Sequence, residues 1–189
     1  MKTTIKSVFI LALALATASF TTTMKKTIDT SASQIDWVGK KITGKHTGTL
    51  QFSEGYLEME GDQITGGKFV VDMTSLEVTD LKGDSKAKLE GHLTSDDFFG
   101  IANHPTATLV IKNGTKTDNG YYVNGELTIK GTTEPIAFEL NMNGNTATAA
   151  FEVDRTKFNV RYGSGSFFDN LGDNTIYDDF ELTVNLKFQ

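Results

Sequence analysis

Apolar and polar residues alternate with a period of two in one segment after another, from Gln34 to the C-terminus. Successive side chains of a β-strand point to opposite faces of a sheet, so each segment predicts a strand with one apolar face. Two of the clearest runs are IAFELNM at residues 136–142 and LTVNLKF at residues 182–188. The pattern predicts a protein of the all-β class and argues against a helical bundle.

Short pairs rich in Gly and Asn separate these segments and predict tight turns between antiparallel strands. The pairs are Glu54-Gly55, Gly61-Asp62, Gly66-Gly67, Asn113-Gly114, Asn119-Gly120, Asn124-Gly125 and Asn143-Gly144-Asn145, of which Asn124-Gly125 is also open to interpretation as a bulge. The segments between them lie near residues 34–42, 46–53, 55–60, 63–73, 106–113, 120–130, 132–142, 145–154 and 176–188. Residues 82–93 have helical spacing, and residues 154–177 predict an irregular loop. We expect a single antiparallel β-barrel of about eight strands with one short helix.

The N-terminus predicts export. Lys2 and Lys6 precede an apolar run at residues 8–16, and Ala16-Thr17-Ala18 supplies the small residues of a cleavage site. The run is shorter than the roughly 20 residues that span a bilayer, so a cleaved signal peptide is favoured over a membrane anchor. We therefore expect a signal peptide at residues 1–18, a barrel domain at residues 19–189, and a periplasmic or secreted product with no stable membrane insertion. Met24 remains open as an alternative start that would give a cytoplasmic product.

Charge and cysteine content restrict the partners and the sources of stability. Cleavage after Ala18 would remove two Lys and no acid, which changes the formal net charge from −6 to −8. No dense Lys/Arg face accompanies this acidic balance, so nucleic acid is not expected as a partner. The chain has no Cys, so a lipid-anchored lipoprotein is excluded and no disulfide holds the fold.

Three sequence blocks, in order along the chain, resemble the YceI-like family. The first is HLTSDDFF at residues 92–99, followed by HPTAT at residues 104–108. The second is GELTIKGTT at residues 125–133, and the third is Asp154-Arg155 with the aromatic-rich tail that ends at Phe188. Many members of the family carry an Arg-Asp pair just before the His-Leu, where this chain has Glu90-Gly91. Any polar role of that pair is therefore in doubt here.

The resemblance implies a lipocalin-like barrel that encloses an isoprenoid lipid, with a polyprenyl or quinone tail in its interior. No set of acid, base and nucleophile stands out in the sequence, so we expect a binding protein that is not an enzyme and has no cofactor. A barrel of eight strands is wide enough either to be filled by side chains or to hold one small ligand. The residues predicted to contact the ligand are Trp37, Phe52, Phe69, Val71, Phe98, Phe99, Leu109, Ile111, Leu127, Ile129, Phe138, Leu140, Phe151, Phe158, Tyr162, Phe167, Phe168, Leu182 and Val184.

Other polar groupings are weaker signals. The spacing of His46, His92 and His104 contains neither an H-x-H nor an H-x-x-x-H pair, so no metal site is predicted. The acids Asp169, Asp173, Asp178 and Asp179 lack the order of a calcium loop, and GSGS at residues 163–166 lacks a phosphate-loop ending. Two alternatives to lipid carriage stay open: an enzyme that acts on an apolar substrate at the barrel mouth, and a solid-core barrel with a partner-binding surface. The sequence does not indicate an oligomeric state.

Overall fold

A computed structural model describes residues 22–189, in which nine strands form one antiparallel sheet. The strands are β1 (Thr23–Thr27), β2 (Gln34–Lys41), β3 (Gly44–Glu60), β4 (Gln63–Val78), β5 (Thr106–Thr117), β6 (Gly120–Ile129), β7 (Thr132–Asn143), β8 (Thr146–Asp154) and β9 (Ile176–Lys187). One helix, α1 (Gly83–Thr94), follows β4, and short 3-10 helices occupy Arg155–Phe158 and Gly172–Asn174. The predicted signal peptide lies outside the described residues.

The sheet closes into a barrel because β9 returns to pair with β2. Strands β2 to β9 each pair with the next strand along the chain, which gives an eight-stranded up-and-down arrangement. Strand β1 pairs with the C-terminal part of β3, on the side where β2 pairs with its N-terminal part. β1 and β2 are thus two sections of one wall. The prediction of an antiparallel barrel of about eight strands with one helix is confirmed.

Several glycine-containing pairs that predicted turns lie inside strands instead. Glu54-Gly55 falls within β3, where the pairing with β4 shifts register after Phe52, so the two segments predicted at residues 46–53 and 55–60 are one strand. A Cβ on Gly55 would lie 2.5 Å from the ring of Phe69, which explains why this strand position is glycine. Gly66-Gly67 and Asn113-Gly114 likewise lie within β4 and β5. These three turn predictions were wrong.

The other predicted turns match the structure more closely. Gly61-Asp62, Asn119-Gly120 and Asn143-Gly144-Asn145 lie at hairpin turns. Asn124-Gly125 lies within β6. The pairing of β5 with β6 shifts register opposite this pair, and the extra residue is on β5, between Ile111 and Asn113. The helix predicted at residues 82–93 is α1, and residues 155–175 are irregular apart from the two 3-10 turns. No helix among residues 22–189 is long and apolar enough to span a bilayer.

The two ends of the barrel differ. One end is closed by tightly packed side chains that are at most 2% exposed, namely Ile28, Leu57, Ile64, Val123 and Ala147. The other end is covered by α1, the turns at residues 95–105 and the segment at residues 155–175. A second, smaller core there is built around Met73, Ile101, Ile129, Val153 and Phe158. Any route into the barrel therefore has to pass this second end, which we call the open end.

Candidate ligand cavity

An apolar cavity, here called the inner cavity, occupies the middle of the barrel. It is lined by 23 residues, and Thr108 is the one that is not apolar. They come from strands β2 to β9 and from Phe99, and the cavity has a volume of about 100 Å³. The period-two alternation creates this lining, because most inward positions of the strands carry an apolar side chain.

Many inward side chains of the inner cavity are only partly buried. Leu50, Val71, Leu109, Ile136 and Val184 are half-buried, although they pack against the fully buried core of the closed end. An inward side chain keeps accessible surface only where neighbouring side chains do not fill the space in front of it. The interior is therefore solid at the closed end and hollow in its middle.

Stacked aromatic rings form part of the cavity wall. The rings of Phe138 on β7 and Phe151 on β8 lie parallel, with centroids 4.7 Å apart and an interplanar angle of 21°. Phe52 and Phe69 make an edge-on pair at 6.2 Å across β3 and β4. Such rings offer broad, rigid apolar surfaces.

Two further chambers lead from the inner cavity toward the surface at the open end. The middle chamber, about 70 Å³, shares Leu50, Phe99, Phe180 and Leu182 with the inner cavity. The outer chamber, about 310 Å³, is more open to solvent. The residues that line both the middle and the outer chamber are Trp37, Gly39, Lys40, Leu93, Phe98 and Ile176. The three spaces adjoin one another, and charged lining residues appear only in the middle and outer chambers.

An irregularity between β2 and β9 shapes the wall of the middle chamber. Gly39 pairs with Phe180 and Lys41 pairs with Ile176, so three residues of β9 stand opposite the single residue Lys40. This bulge removes backbone groups of β9 from the ladder of hydrogen bonds. The carbonyl groups released in this way need other partners.

The buried side chain of Arg155 supplies those partners. Its guanidinium donates to the carbonyl oxygens of Ile176 at 3.0 Å and Tyr177 at 3.1 Å, and to that of Val160 at 2.7 Å. Burial lowers the pKa of Arg155, and the carboxylate of Asp178, 3.4 Å away, opposes that effect. An arginine stays protonated in proteins, so this contact is a buried ion pair that also carries three backbone hydrogen bonds.

Trp37 and His92 line the outer chamber, and each has one side-chain nitrogen that is buried. Trp37 is 9% exposed, and neither its Nε1 nor the buried Nε2 of His92 has a hydrogen-bond partner among residues 22–189. The indole ring packs over Gly48, where a Cβ would overlap the ring. His92 contacts the rings of Phe98 and Tyr162 edge-on, with centroids 5.3 and 4.4 Å away.

His46 lines the outer chamber and is paired with Asp80. Its Nδ1 lies 2.9 Å from Asp80 Oδ2, and the backbone N–H of Thr47 donates to Asp80 Oδ1 at 3.0 Å. Burial alone would raise the pKa of Asp80, but the hydrogen bonds from Thr47 and His46 outweigh it and lower the pKa below its ordinary value. The pair resembles the base and orienting carboxylate of a hydrolase, but no hydroxyl or thiol among residues 22–189 is hydrogen-bonded to His46 as a nucleophile would be.

The other polar groupings singled out in the sequence are dispersed. His46 and His92 line the outer chamber, whereas His104 lies beside Gly100 and Gly131. No cluster of three or more His, Cys, Asp or Glu side chains suited to a metal ion occurs within residues 22–189. In the acidic loop, Asp178 contacts Arg155 and accepts a hydrogen bond from the hydroxyl of Ser166 at 2.6 Å.

Most residues predicted to contact a ligand line the inner cavity. They are Phe52, Phe69, Val71, Phe99, Leu109, Ile111, Leu127, Ile129, Phe138, Leu140, Phe151, Leu182 and Val184. Trp37 and Phe98 line the middle and outer chambers, and Tyr162 lines the outer one. Phe158 is buried in the second core, and Phe167 and Phe168 are exposed on the surface, so these three lie outside the chambers. Contact with a ligand stays a prediction for the whole set.

Sequence reasoning missed part of the lining. The missed inner-cavity residues are Ile35, Leu50, Leu57, Met73, Ala107, Thr108, Ile136, Ala149, Phe180 and Leu186. Ile136 and Leu186 share the apolar faces that the alternation already identified, so the same signal could have found them. The polar lining of the outer chamber, including Lys41 and Asn174, comes from segments far apart in the chain and leaves no local signal.

A closed eight-stranded antiparallel barrel with a hollow apolar interior defines the class of lipocalin-shaped barrels. The chain also matches the family model of the YceI-like domain over residues 27–188, and it therefore belongs to the YceI-like family. The matched region covers all the strands from β2 to β9.

Relatives and solved structures agree with this membership. A UPF0312 protein of Staphylococcus epidermidis is 32% identical over 101 residues, which are 49% of this chain and 51% of that protein. A UPF0312 protein of Yersinia enterocolitica is 34% identical over 58 residues, 31% of this chain and 30% of that protein. The chain thus spans at most about half the length of these curated relatives.

Two solved structures share the fold. Burkholderia cenocepacia BcnA superposes with a TM-score of 0.67 at 23% identity, over 84% of this chain and 98% of BcnA. A polyisoprenoid binding domain from Saccharophagus degradans superposes with a TM-score of 0.58 at 16% identity, over 87% of this chain and 97% of that domain.

Proposed function

We propose that the protein binds a long apolar chain of the polyisoprenoid type, a polyprenyl or quinone tail, inside its barrel and serves transport, storage or sequestration rather than catalysis. The observation that carries this proposal is the lining of the inner cavity, in which Thr108 is the one polar residue among 23. A cavity without polar groups cannot orient a polar substrate, but it is well suited to a hydrocarbon chain. The partial burial of its inward side chains favours a ligand over a solid core.

The energetics favour a flexible hydrocarbon. Each buried methylene contributes about 0.8 kcal/mol, so a few isoprene units outweigh the ordering costs of a bound chain. The Phe138–Phe151 stack adds rigid surface against which the chain can pack. The fold shared with the Saccharophagus degradans polyisoprenoid binding domain supports the same ligand class.

Matched substitutions on inward and outward positions test the proposal. Phe138→Asn or Leu127→Asn places an unpaired amide against the hydrocarbon, which costs roughly 1 to 3 kcal/mol and lowers affinity for a prenyl chain about 5- to 150-fold. Both residues line the inner cavity. The controls are their outward neighbours, Glu139→Gln and Thr128→Ser, which leave the lining unchanged.

Circular dichroism and thermal melting first establish that each of the four variants is folded. The amount of lipid that each variant retains is then measured. The proposal expects the inward variants to lose lipid and the outward variants to keep it. Equal retention in all four would favour the solid-core alternative.

Export is part of the proposal and has its own test. We propose that a signal peptide is removed after Ala18 and that the barrel acts outside the cytoplasm, on the grounds of Lys2, Lys6 and the apolar run that follows them. N-terminal sequencing of the natural protein is expected to start near Ser19. A cytosolic product that begins at Met1 or Met24 would overturn it.

A further inference from the structure

Large apolar side chains that are exposed to solvent are concentrated at the open end of the barrel. Among residues 22–189, seven large hydrophobic side chains are exposed, and five of them belong to the tip of the β2–β3 hairpin and to residues 162–177. We call these five the apolar rim: Ile42, Tyr162, Phe167, Phe168 and Tyr177, each between 46% and 53% exposed. The other two, Met24 and Tyr122, lie toward the closed end on β1 and β6. Single exposed apolar side chains are normal, whereas a group of them indicates an interaction surface.

Backbone hydrogen bonds connect the segments that carry the apolar rim. The N–H of Ile42 donates to the carbonyl oxygen of Thr175 at 3.2 Å, which joins the hairpin tip to the start of β9. The N–H of Ile176 donates to the carbonyl oxygen of Gly163 at 2.8 Å, which joins β9 to the loop with the aromatic side chains. The apolar rim is therefore one surface of the fold, although its members are far apart in the chain.

The apolar rim borders the opening of the chambers. Tyr162 lines the outer chamber, and Tyr177 lines the middle one. Lys41, the neighbour of Ile42, also lines the outer chamber. A hydrocarbon chain that enters or leaves the inner cavity through these chambers has to pass the apolar rim, at the point where it would otherwise meet water.

Exposed cations accompany the apolar rim. The guanidinium of Arg161 lies over the ring of Phe167, 4.5 Å from its centroid. Residues 41–45 and 157–168 carry four of the five rim side chains, and they contain no acid in a chain whose net charge is −6. Their cations, all exposed, are Lys41, Lys45, Lys157 and Arg161. The nearest acids in the loop, Asp169 and Asp173, follow outside these two stretches. Aromatic rings with adjacent cations are typical of protein surfaces that lie at the interface of an anionic bilayer.

From these observations we infer that the apolar rim docks the open end of the barrel onto the surface of a bilayer that contains anionic lipids. The aromatic side chains would lie at the level of the lipid head groups, and the cations would contact lipid phosphates. The contact is peripheral, because it consists of a few side chains around an opening. The choice of a bilayer over a protein partner rests on the proposed function, whose cargo is a membrane lipid.

Flotation with lipid vesicles tests the inference. The probes are vesicles of phosphatidylcholine alone and of phosphatidylcholine mixed with phosphatidylglycerol, both free of isoprenoids, so that binding does not depend on uptake of a cargo. Wild type and variants are purified from the natural host and therefore have the same processed N-terminus. We expect wild type to bind the anionic vesicles about fivefold or more tightly than the neutral ones, since each cation near an anionic surface contributes about a factor of five. High salt should remove this preference.

A double variant tests the apolar contribution. Phe167→Ser combined with Phe168→Ser is expected to lower binding to the anionic vesicles about tenfold or more, because two rings no longer enter the interface. The control is Tyr122→Ser, since Tyr122 is exposed to the same extent as Phe167, at 46%, but lies on β6 away from the apolar rim. All three side chains are exposed, so the variants are expected to fold, and thermal melting checks this.

A pair of lysine variants tests the charge. Lys45→Gln is expected to lower binding to the anionic vesicles up to about fivefold and to leave binding to the neutral vesicles unchanged. Lys187→Gln is the matched control, because Lys187 is equally an exposed strand residue but lies at the closed end of the barrel.

The outcomes separate this inference from the proposed function. Wild-type protein that floats with neither kind of vesicle, or equal losses in the double variant and Tyr122→Ser, would overturn the docking surface and leave lipid binding in the barrel untouched. Failure to float, together with a dimer in sedimentation that the double variant dissociates, would assign the apolar rim to a second copy of the chain instead. Flotation that depends on the apolar rim supports the docking surface even if the organic extract contains no isoprenoid, in which case the proposed function alone fails.

Discussion

Arg155 Nε donates a hydrogen bond to the carbonyl oxygen of Tyr177 over 3.1 Å, and this contact ties the end of β8 to the start of β9. Tyr177 lies in the bulge where β9 departs from β2. The same guanidinium holds the carbonyl of Val160, in the loop that leads to Tyr162. One buried side chain therefore supports both the wall of the middle chamber and the loop at the entrance.

Replacement of Arg155 by Met is expected to destabilise the barrel strongly. Three backbone carbonyls and the carboxylate of Asp178 would lose a donor, and each buried acceptor that is left without a partner costs about 1 to 3 kcal/mol. Urea unfolding measures the change. Arg161→Met is the control, since Arg161 is exposed and contacts Asn159 and the ring of Phe167, so its effect should stay within about 0.5 kcal/mol. Equal effects of the two substitutions would contradict this role of Arg155.

Gly48→Ala is expected to disturb the position of Trp37. An added Cβ would overlap the indole ring and the carbonyl oxygen of Glu77, and such overpacking costs about 1 to 3 kcal/mol. Trp37 fluorescence and the melting temperature report the displacement. Gly39→Ala is a close control, because a Cβ there would meet the Trp37 ring at an ordinary contact distance of 4.0 Å. A Gly48→Ala protein with wild-type stability and fluorescence would show that the close packing of Trp37 on β3 is not required.

The fold could be predicted from the sequence to the extent that local signals determine it. Alternation is a local signal, and it identified segments in all the strands from β2 to β9 and the apolar face of most of them. Strand β1 went unrecognised because its sequence, TMKKT, has no alternation and its residues are mostly exposed. The single strand β3 was predicted as two because Glu54-Gly55 was interpreted as a turn. Gly55 is instead a strand residue that leaves room for the ring of Phe69, and only the three-dimensional packing shows this.

The candidate site was predictable in its apolar part and not in its polar part. Inward residues such as Phe138 and Leu182 follow from the strand pattern alone. Phe158, Phe167 and Phe168 were grouped with the ligand-binding residues because they are aromatic, but their positions depend on the course of an irregular loop. Lys41 and His92 are far apart in the chain and line the same chamber only in the folded protein, so no local sequence signal predicts it.

The stability of the entrance is expected to depend on pH through Asp80. Its pKa in the folded protein is lowered below the ordinary value of 3.8, so the ionised carboxylate stabilises the fold. That contribution is complete above pH 3.8 and is lost as the pH falls through the lowered pKa. The difference in unfolding free energy between wild type and Asp80→Asn should therefore be present at pH 7 and shrink below pH 3.8. Denaturant titrations along a pH series measure it, and a difference of constant size would contradict the assignment.

The central claim is that the hollow middle of the barrel holds an apolar chain, and a variant that fills this space without adding polarity tests it. Ala149 lines the inner cavity and is 3% exposed, whereas its neighbour Ala150 on β8 points outward. Ala149→Phe would occupy the space that the chain needs, and Ala150→Phe adds the same ring to the outer surface.

The most direct measurement is mass spectrometry of organic extracts from the gently purified natural protein and these two variants, all shown to be folded. The account predicts an isoprenoid-type chain in near-equal molar amount from the wild type and Ala150→Phe, and little from Ala149→Phe. A wild-type protein that yields no apolar chain, or an Ala149→Phe protein that retains as much as the wild type, would contradict it.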